Sequence, residues 1–151
     1  MKKKSRYKPK PVHPDNLAYI LQGNLPLTAA ATTMTRVKVA NHGAMDSLVK
    51  GQGLASDLTT LSHMLITATA LAKHNLGRDW LPELEAADKV LIEVSRRKSF
   101  VLKALEINAL NLAIEIHDAQ LESCTIKQLE DAVKAAKAAI RHNHEVREVA
   151  Q

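Results

Sequence analysis

Six cationic side chains crowd the first ten residues, and they point more directly to a chemistry than any other group in the chain. They are Lys2, Lys3, Lys4, Arg6, Lys8 and Lys10. Lysine and arginine neutralise phosphates and release counterions, and the ring of Tyr7, which lies among them, can stack on a base. The pattern predicts contact with DNA, RNA or an acidic partner. The alternative is a tail that only keeps the protein soluble.

A polar stripe with helical spacing is the second candidate. It consists of Asn108, Asn111, Glu115, Asp118 and Glu122. Carboxylates on one helix face can bind a hard cation or transfer protons. A carboxylate-bridged metal site usually also contains Glu-x-x-His on paired helices. His117 follows Glu115 by only two residues, so it lies on a different face of the helix from the stripe. We therefore expect a solvated face, or salt bridges to cations such as Arg96 and Arg97, and we predict no metal site and no cofactor.

Other residue types that serve catalysis lack suitable neighbours. Cys124 is the only cysteine, which excludes an internal disulfide, and no Cys/His pair has the spacing of a zinc site. No glycine-rich loop has phosphate-binding spacing, and no Ser or Cys has a context that identifies a base. His63 and His117 are interpreted as hydrogen-bonded helix residues. We predict no catalytic residue and no enzymatic activity.

The segment NLGRDW at residues 75–80 holds the only tryptophan. Tryptophan and arginine are over-represented among the residues that anchor protein interfaces. Arg78 and Trp80 are therefore a candidate partner-binding site. The other interpretation is that Trp80 fills the end of a helical bundle.

Helices must position these side chains, because composition and periodicity both favour helix. Of the 151 residues, 46% are hydrophobic but only 3% are aromatic, so Ala, Leu, Val and Ile must fill the core. Apolar residues recur in steps of three and four, and no segment alternates like a strand with turn residues at both ends. The sequence predicts an all-α fold, a compact bundle of four to five helices with an extended basic N-terminal arm.

Turn and capping residues set the bounds of five predicted helices. The helices cover about residues 28–50, 56–74, 82–98, 100–122 and 125–140. Gly43 weakens the first helix and indicates a close helix crossing or a bend. Ser56 is expected to cap the second helix and Gly77 to stop it.

The last two predicted helices carry the most informative patterns. In the fourth, apolar residues cover more than half of the circumference, so it is either the central helix of the bundle or part of an oligomer interface. The fifth begins with a capping box, in which the side chains of Thr125 and Gln128 each bond an otherwise free backbone N–H.

Charge and proline content divide the chain into three parts. Residues 1–15 are predicted to form a disordered, basic, Pro-rich arm, because like charges repel and proline lacks an amide hydrogen. Residues 16–141 are assigned to the helical bundle, and within them residues 16–25 are interpreted as a docking segment with Leu17, Ile20 and Leu21 on one side. Residues 142–151 are assigned to a polar C-terminal tail.

Four landmarks along the chain carry a resemblance to a known family. They are KKKSRYKPKPV in the arm, NHGAM at residues 41–45, GRDW at residues 77–80 and ALNLAIEIHDAQL at residues 109–121. Together they resemble small helical proteins of tailed phages and prophages of Gram-negative bacteria. The resemblance implies the cytoplasm of an infected or lysogenic bacterium as the setting, and it supplies no catalytic residue.

These patterns predict a non-enzymatic, phage-type interaction or regulatory protein that binds a host or phage macromolecule, with a homo-oligomer as one arrangement. No run approaches the roughly 18 apolar residues that span a bilayer, and the basic N-terminus lacks the apolar region of a signal peptide. We therefore expect a cytoplasmic protein without membrane contact. The alternative function is nucleic-acid binding through the arm. A metal-dependent enzyme, based on the polar stripe, is the least favoured.

Overall fold

Five α-helices form the part of the chain that the computed structural model describes, which is the backbone of residues 22–149 and the side chains of residues 22–142. They are α1 (Ala31–Val49), α2 (Ala55–Lys73), α3 (Leu81–Ser95), α4 (Ala104–Ser123) and α5 (Ile126–Val149). Short 3-10 turns, Leu27–Ala30 and Arg78–Trp80, precede α1 and α3. Residues 22–149 contain no β-strand, so the predicted all-α bundle is confirmed. The predicted arm at residues 1–15 lies outside the described residues.

Helix α2 occupies the centre of the bundle and packs against each of the other four helices. Its fully buried residues include Leu61, Leu65, Ala68 and Ala72, and the two alanines let neighbouring helices approach closely. The sequence predicts either this central position or an oligomer interface for α4. Helix α4 instead packs mainly on α1, α2 and α3.

The outer side of α4 explains the surplus of apolar residues in its sequence. Leu110, Ile114 and Leu121 are buried against the bundle, whereas Leu105 is 82% exposed and Leu112 is also exposed. Part of the apolar arc is therefore uncovered in one chain. That this part lies in an oligomer interface stays a prediction.

Helices α1 and α2 both end in a Schellman motif, in which a left-handed residue reverses the chain. Gly51 (φ 72°) ends α1, and the N–H of Gln52 donates to the Ser47 carbonyl over 2.9 Å. Asn75 (φ 70°) ends α2, and the N–H of Leu76 donates to the Leu71 carbonyl over 3.1 Å. The predicted stop at Gly77 is wrong, because asparagine also tolerates the left-handed conformation and reaches it first.

The starts of α2 and α5 tested two predicted caps. Helix α2 begins at Ala55, and Leu54 donates its N–H to the Asp57 carboxylate over 2.8 Å, so Ser56 lies within the first turn and is not the cap. At α5 the predicted capping box is confirmed. The Thr125 N–H donates to Gln128 Oε1 over 2.9 Å, and the Gln128 N–H donates to Thr125 Oγ1 over 3.2 Å.

The sequence predicts a close helix crossing or a bend at Gly43, but the glycine that the packing requires is Gly53. A Cβ added at Gly43 would meet nothing within 4 Å, so neither a crossing nor a contact requires this glycine. A Cβ at Gly53 would lie 2.3 Å from Leu48 Cδ2 and 3.2 Å from Leu48 Cα. Only glycine therefore fits where the α1–α2 loop folds back over the end of α1.

A partly buried ion pair closes the loop between α3 and α4. Glu106 accepts hydrogen bonds from both Nη atoms of Arg97 and, over 2.8 Å, from the N–H of Lys103. The hydrogen bond from Arg97 is the main reason that the pKa of Glu106 is below its usual range. Arg97 therefore fixes the loop. The sequence predicts that Arg97 binds the polar stripe of α4, and it does not.

A short strap, residues 25–27, attaches the start of the described chain to the junction of α4 and α5. Leu27 donates its N–H to the Cys124 carbonyl over 2.9 Å, and Ile126 donates to the Leu25 carbonyl over 3.0 Å. Leu27 is fully buried in a cluster with Leu71. At the other end of the chain, α5 continues to Val149, so residues 142–149 extend this helix.

Candidate binding groove

A groove runs along α2 between α1 and α5, which lie on either side of it. It encloses about 360 Å³, and His117 of α4 contributes to its lining. We call it the α1–α5 groove; its lining residues are Val37, Ala40, Asn41, Thr60, His63, Met64, Thr67, His117, Leu129, Val133, Ala136, Lys137 and Ile140.

The narrow apolar seam of α5 is what leaves this groove open. Leu129 and Ala136 are buried. Val133 and Ile140, which follow them by four residues each, are only half-buried. A seam of this width covers one neighbouring helix, which is α2. The remaining apolar side chains of α5 therefore line the groove instead of packing against α1.

A buried hydrogen-bond network fixes the imidazole of His117. The Gln120 side chain donates from Nε2 to the carbonyls of Ala68 (3.0 Å) and Leu76 (2.8 Å), which orients its Oε1 toward His117 Nδ1 at 3.3 Å. Because Oε1 only accepts, Nδ1 carries the ring proton and donates. The Nε2 atom of His117 is then a hydrogen-bond acceptor, and no residue among 22–142 bonds to it.

Burial keeps His117 neutral. Its side chain is 2% exposed, and loss of solvation is the main cause of its lowered pKa, against smaller opposing effects of Gln120 and Asp118. A neutral imidazole whose Nδ1 proton is engaged offers one acceptor and no charge. His117 therefore gives the groove a fixed acceptor, and the prediction of a hydrogen-bonded helix histidine is confirmed for this residue.

Asn41 supplies an unpaired donor to the same groove. The residue is 5% exposed, and its Nδ2 is buried without a hydrogen-bond partner among the described residues. An unpaired buried donor costs about 1–3 kcal/mol, so a ligand that accepts a bond from it gains that energy back. The groove therefore offers a hydrogen-bond donor from Asn41 and an acceptor from His117.

The lining of the groove contains a positive charge and no negative one. No Asp or Glu lines it, whereas the exposed side chain of Lys137 does. An apolar ligand with an acidic or neutral polar group is therefore favoured over a cationic ligand.

A second groove lies on the other side of α5, next to α3, and encloses about 390 Å³. Its charged lining residues are Lys73, Glu85, Asp88 and Lys89, and burial raises the pKa of Asp88. The three buried unpaired side-chain atoms in the described part of the chain are Asn41 Nδ2, Glu83 Oε2 and Asp118 Oδ1, and none belongs to a residue lining this groove. The slightly smaller α1–α5 groove is therefore the better candidate site.

The polar stripe of α4 is partly paired with α1. The Nζ atom of Lys38 donates to Glu122 Oε1 over 2.6 Å, and His42 Nε2 lies 2.7 Å from Asp118 Oδ2. The expected salt bridges are present, but their partners are not Arg96 and Arg97. Within residues 22–142 no three His, Cys, Asp or Glu side chains are placed to hold a metal ion.

The predicted partner residues Arg78 and Trp80 lie together on the 3-10 turn before α3. Both are exposed, Trp80 by 47%, beside a smaller cavity of about 260 Å³ next to Gly77 and Gln120. Trp80 therefore only partly closes the end of the bundle, and its role in partner binding stays a prediction. The arm residues Lys2, Lys3, Lys4, Arg6, Tyr7, Lys8 and Lys10 lie outside the described residues.

Sequence reasoning missed Asn41 and Gln120, although a signal for each was present. Asn41 falls on the apolar stripe of α1, between Val37 and Ala44, and Gln120 precedes the buried Leu121. A polar residue on the buried side of a helix requires a partner, and this requirement marks both positions.

Comparison of the chain with models of protein families, with curated proteins and with solved structures gave no match. Among the described helices, none has the length and apolar character needed to cross a membrane. The groove is therefore interpreted from its own chemistry.

Proposed function

We propose that this chain is a non-enzymatic interaction protein that binds an apolar segment of a host or phage protein in the α1–α5 groove. The observation that carries the proposal is the unpaired Nδ2 of Asn41, buried in a mainly apolar groove that His117 also lines. A partner side chain or backbone amide that both donates and accepts would satisfy both atoms.

The form of the groove favours a peptide segment as the ligand. Apolar side chains from α1, α2 and α5 line it along α2, and this arrangement suits a helix or an extended peptide that inserts a few apolar anchors. Lys137 favours a segment that carries an acidic residue beside those anchors. The polar groups that the proposal uses, the Asn41 amide and the neutral His117 imidazole, can donate and accept hydrogen bonds, and we take them to favour binding over catalysis.

The setting that we propose is the bacterial cytoplasm, as the resemblance to phage proteins implies. Small helical proteins of this kind would act there by occupying a surface of a partner. Self-association through the exposed part of α4, at Leu105 and Leu112, is compatible with this function because neither residue lines the groove.

A groove-filling variant tests the proposal. Peptides of about 12 residues, long enough for a helix-in-groove ligand, are selected from a random library on the full chain. Ala40 is exposed on the α1 wall, so Ala40→Trp fills the groove without disturbing the core. We expect the selected peptides to carry apolar residues around a Tyr, Ser, Asn or Gln, and to bind Ala40→Trp at least about tenfold more weakly.

The matched control is Val39→Trp, which places the same side chain one residue away on a surface that is 66% exposed. This variant should bind the peptides like the parent chain, and circular dichroism should show equal helix content in all three proteins. Peptides that bind both variants equally, or a selection that yields none, would count against the groove as a binding site.

Nucleic-acid binding is a second proposal, and the distribution of charge supports it. Residues 22–142 hold fourteen Lys or Arg and thirteen Asp or Glu, so the excess positive charge of the chain lies before them. A gel-shift titration with random-sequence duplex DNA should show affinity that falls steeply with salt, and replacing the six arm cations with Gln should abolish it. Undetectable binding at about 50 mM salt would reject this function.

A further inference from the structure

We infer that two copies of this chain pair antiparallel along α4, so that Leu105 of each copy enters the cavity beside Trp80 of the other. The surface that pairs is a stripe along α4, which we call the α4 seam; its residues are Leu105, Ala109, Leu112, Ile116, Ala119 and Ser123. None of them lines the α1–α5 groove, so the inference goes beyond the proposed function and does not rest on it. The predicted docking residues Leu17, Ile20 and Leu21 lie outside the described residues and take no part in it.

The α4 seam is an apolar face that one chain leaves largely uncovered. Its residues recur in steps of four and three, the spacing that keeps side chains on one side of a helix. Leu105 is 82% exposed and Leu112 is 36% exposed, and both Ala119 and Ser123 are exposed as well. A seam with this period, apolar and open over five turns, matches the surface of a second helix.

The α4 seam is complementary to its own reverse, which favours a second copy as the partner. When the seam is reversed about its midpoint, the spacing of its six positions is unchanged, so a two-fold axis there aligns both seams over their full length. The opposed pairs, one residue from each copy, are Leu105 with Ser123, Ala109 with Ala119, and Leu112 with Ile116. Large residues therefore meet small ones at both ends, and two branched residues meet beside the axis.

A cavity lies where Leu105 of the other copy would insert. It encloses about 260 Å³, and Ala119 and Ser123 of the seam line it together with Gly77 and Trp80. Trp80 is 47% exposed, so its ring offers apolar surface to an inserted side chain. Leu105 is the most exposed leucine of residues 22–142. The pairing would bury this leucine and fill the cavity, twice in each dimer.

Charge favours the antiparallel arrangement over a parallel one. Residues 96–103, which lead into α4, hold four Lys or Arg and no Asp or Glu, whereas residues 115–123, at its end, hold three Asp or Glu and no Lys or Arg. Ion pairs within the chain, with Glu106 and with Lys38, reduce both charges without changing their sign. Antiparallel pairing brings each positive end to the other copy's negative end, and parallel pairing would bring like charges together.

The size of the contact sets the expected affinity. Helix α4 has 20 residues, and at 1.5 Å per residue it is about 30 Å long. A contact of this length, with the turn that carries Trp80 at each end, falls at the low end of specific interfaces, near about 1,200 Å² in total. We therefore expect a dimer dissociation constant on the order of 10 µM. Because no seam residue lines the α1–α5 groove, each dimer carries two such grooves.

Sedimentation velocity of the full chain tests the pairing. Between about 1 and 200 µM the chain should pass from monomer to dimer without larger species, because a two-fold contact closes on itself. Leu105→Glu should raise the dissociation constant at least about tenfold. The matched control is Val39→Glu, which makes the same change in charge at a residue of α1 that is 66% exposed. It should associate like the parent chain, and circular dichroism should show equal helix content in all three proteins.

Glu115 provides a variant that should strengthen the pairing. It lies beside the α4 seam near the midpoint, so the two copies of this carboxylate approach each other across the axis. Glu115→Gln removes this repulsion and should lower the dissociation constant about threefold. A weaker dimer in this variant would contradict the proposed register.

Cysteine cross-linking between two different variants tests the register directly. Under mild oxidation, a mixture of Ala109→Cys and Ala119→Cys chains should form a disulfide-linked dimer, because these positions oppose each other, whereas neither variant alone should. Cys124 does not compete, because it is fully buried and burial raises the pKa of its thiol. The matched control is Ala109→Cys mixed with Ala138→Cys, an exposed position of α5, and it should stay unlinked.

A chain that stays monomeric at the highest concentration would overturn the inference. Equal association of Leu105→Glu and Val39→Glu would also overturn it, since the contact would then lie elsewhere, and so would cross-linking of Ala109→Cys with itself, which indicates parallel pairing. The peptide selection separates this inference from the proposed function. Selected peptides that bind a monomeric chain would support the groove and exclude only the pairing; a dimer from which no peptide is selected would support the pairing and exclude only the groove.

Discussion

We expect the free energy of unfolding of the Gln120→Met variant to be about 3 kcal/mol lower than that of the parent chain. Gln120 is 4% exposed and bonds the carbonyls of Ala68 and Leu76 as well as the imidazole of His117. Methionine preserves most of the volume, so the loss comes from buried groups that have lost their partners and not from a cavity. Urea denaturation followed by circular dichroism measures the difference.

Asn111→Met is the matched control, because it introduces the same side chain on an exposed position of α4. A surface substitution of this kind should change the free energy of unfolding by less than about 0.5 kcal/mol. If the two variants lose equal stability, the network around Gln120 does not hold α4 against the end of α2. The Gln120→Met variant should also change the ring signals of His117, since it removes the acceptor for Nδ1.

Stability should fall as the pH is lowered from about 6.5, the unperturbed histidine value, because of His117. Burial lowers its pKa in the folded chain, so in this range the unfolded chain binds a proton that the folded chain does not. The free energy of unfolding is then fully present above the unfolded pKa and declines as the pH falls toward the folded pKa. The slope can reach about 1.4 kcal/mol per pH unit while only the unfolded chain is protonated.

Urea unfolding at a series of pH values measures this slope, and NMR titration of the His117 ring in the parent chain gives its pKa directly. Asp118 opposes the shift of the His117 pKa, and the slope is compared with that of His63→Gln, which removes the other histidine that lines the groove. Glu106 contributes separately, because its lowered pKa removes stability only at more acidic pH. An NMR pKa of His117 at or above the ordinary value would contradict the prediction.

Helix positions and the α5 cap were predictable because they depend on neighbours in sequence. The capping box of Thr125 and Gln128 needs only four consecutive residues, and it forms as expected. The end of α2 was less predictable, since Asn75 and Gly77 both tolerate a left-handed conformation and both adopt one. Which of them stops the helix depends on where Leu76 packs, and that is decided by the rest of the bundle.

The groove could not be read from the sequence, because it depends on how helices distant in the chain are placed. The seam of α5 is visible as a pattern, but the pattern does not say which helix it covers or what remains open beside it. The ion pairs of α4 show the same limit. Asp118 and Glu122 were expected to find cations, yet their actual partners, His42 and Lys38, are more than seventy residues away in the chain.

The strap at residues 25–27 joins the start of the described chain to the junction between α4 and α5 by backbone hydrogen bonds. Ile126 is the first residue of α5 and also the donor to Leu25, so α5 cannot lift away from α2 at this end without releasing the strap. The two should open as one cooperative unit, with the remaining helices as its base. Helix α5 forms one wall of the groove. The width of the groove therefore depends on whether the hydrogen bonds between the strap and the start of α5 are intact.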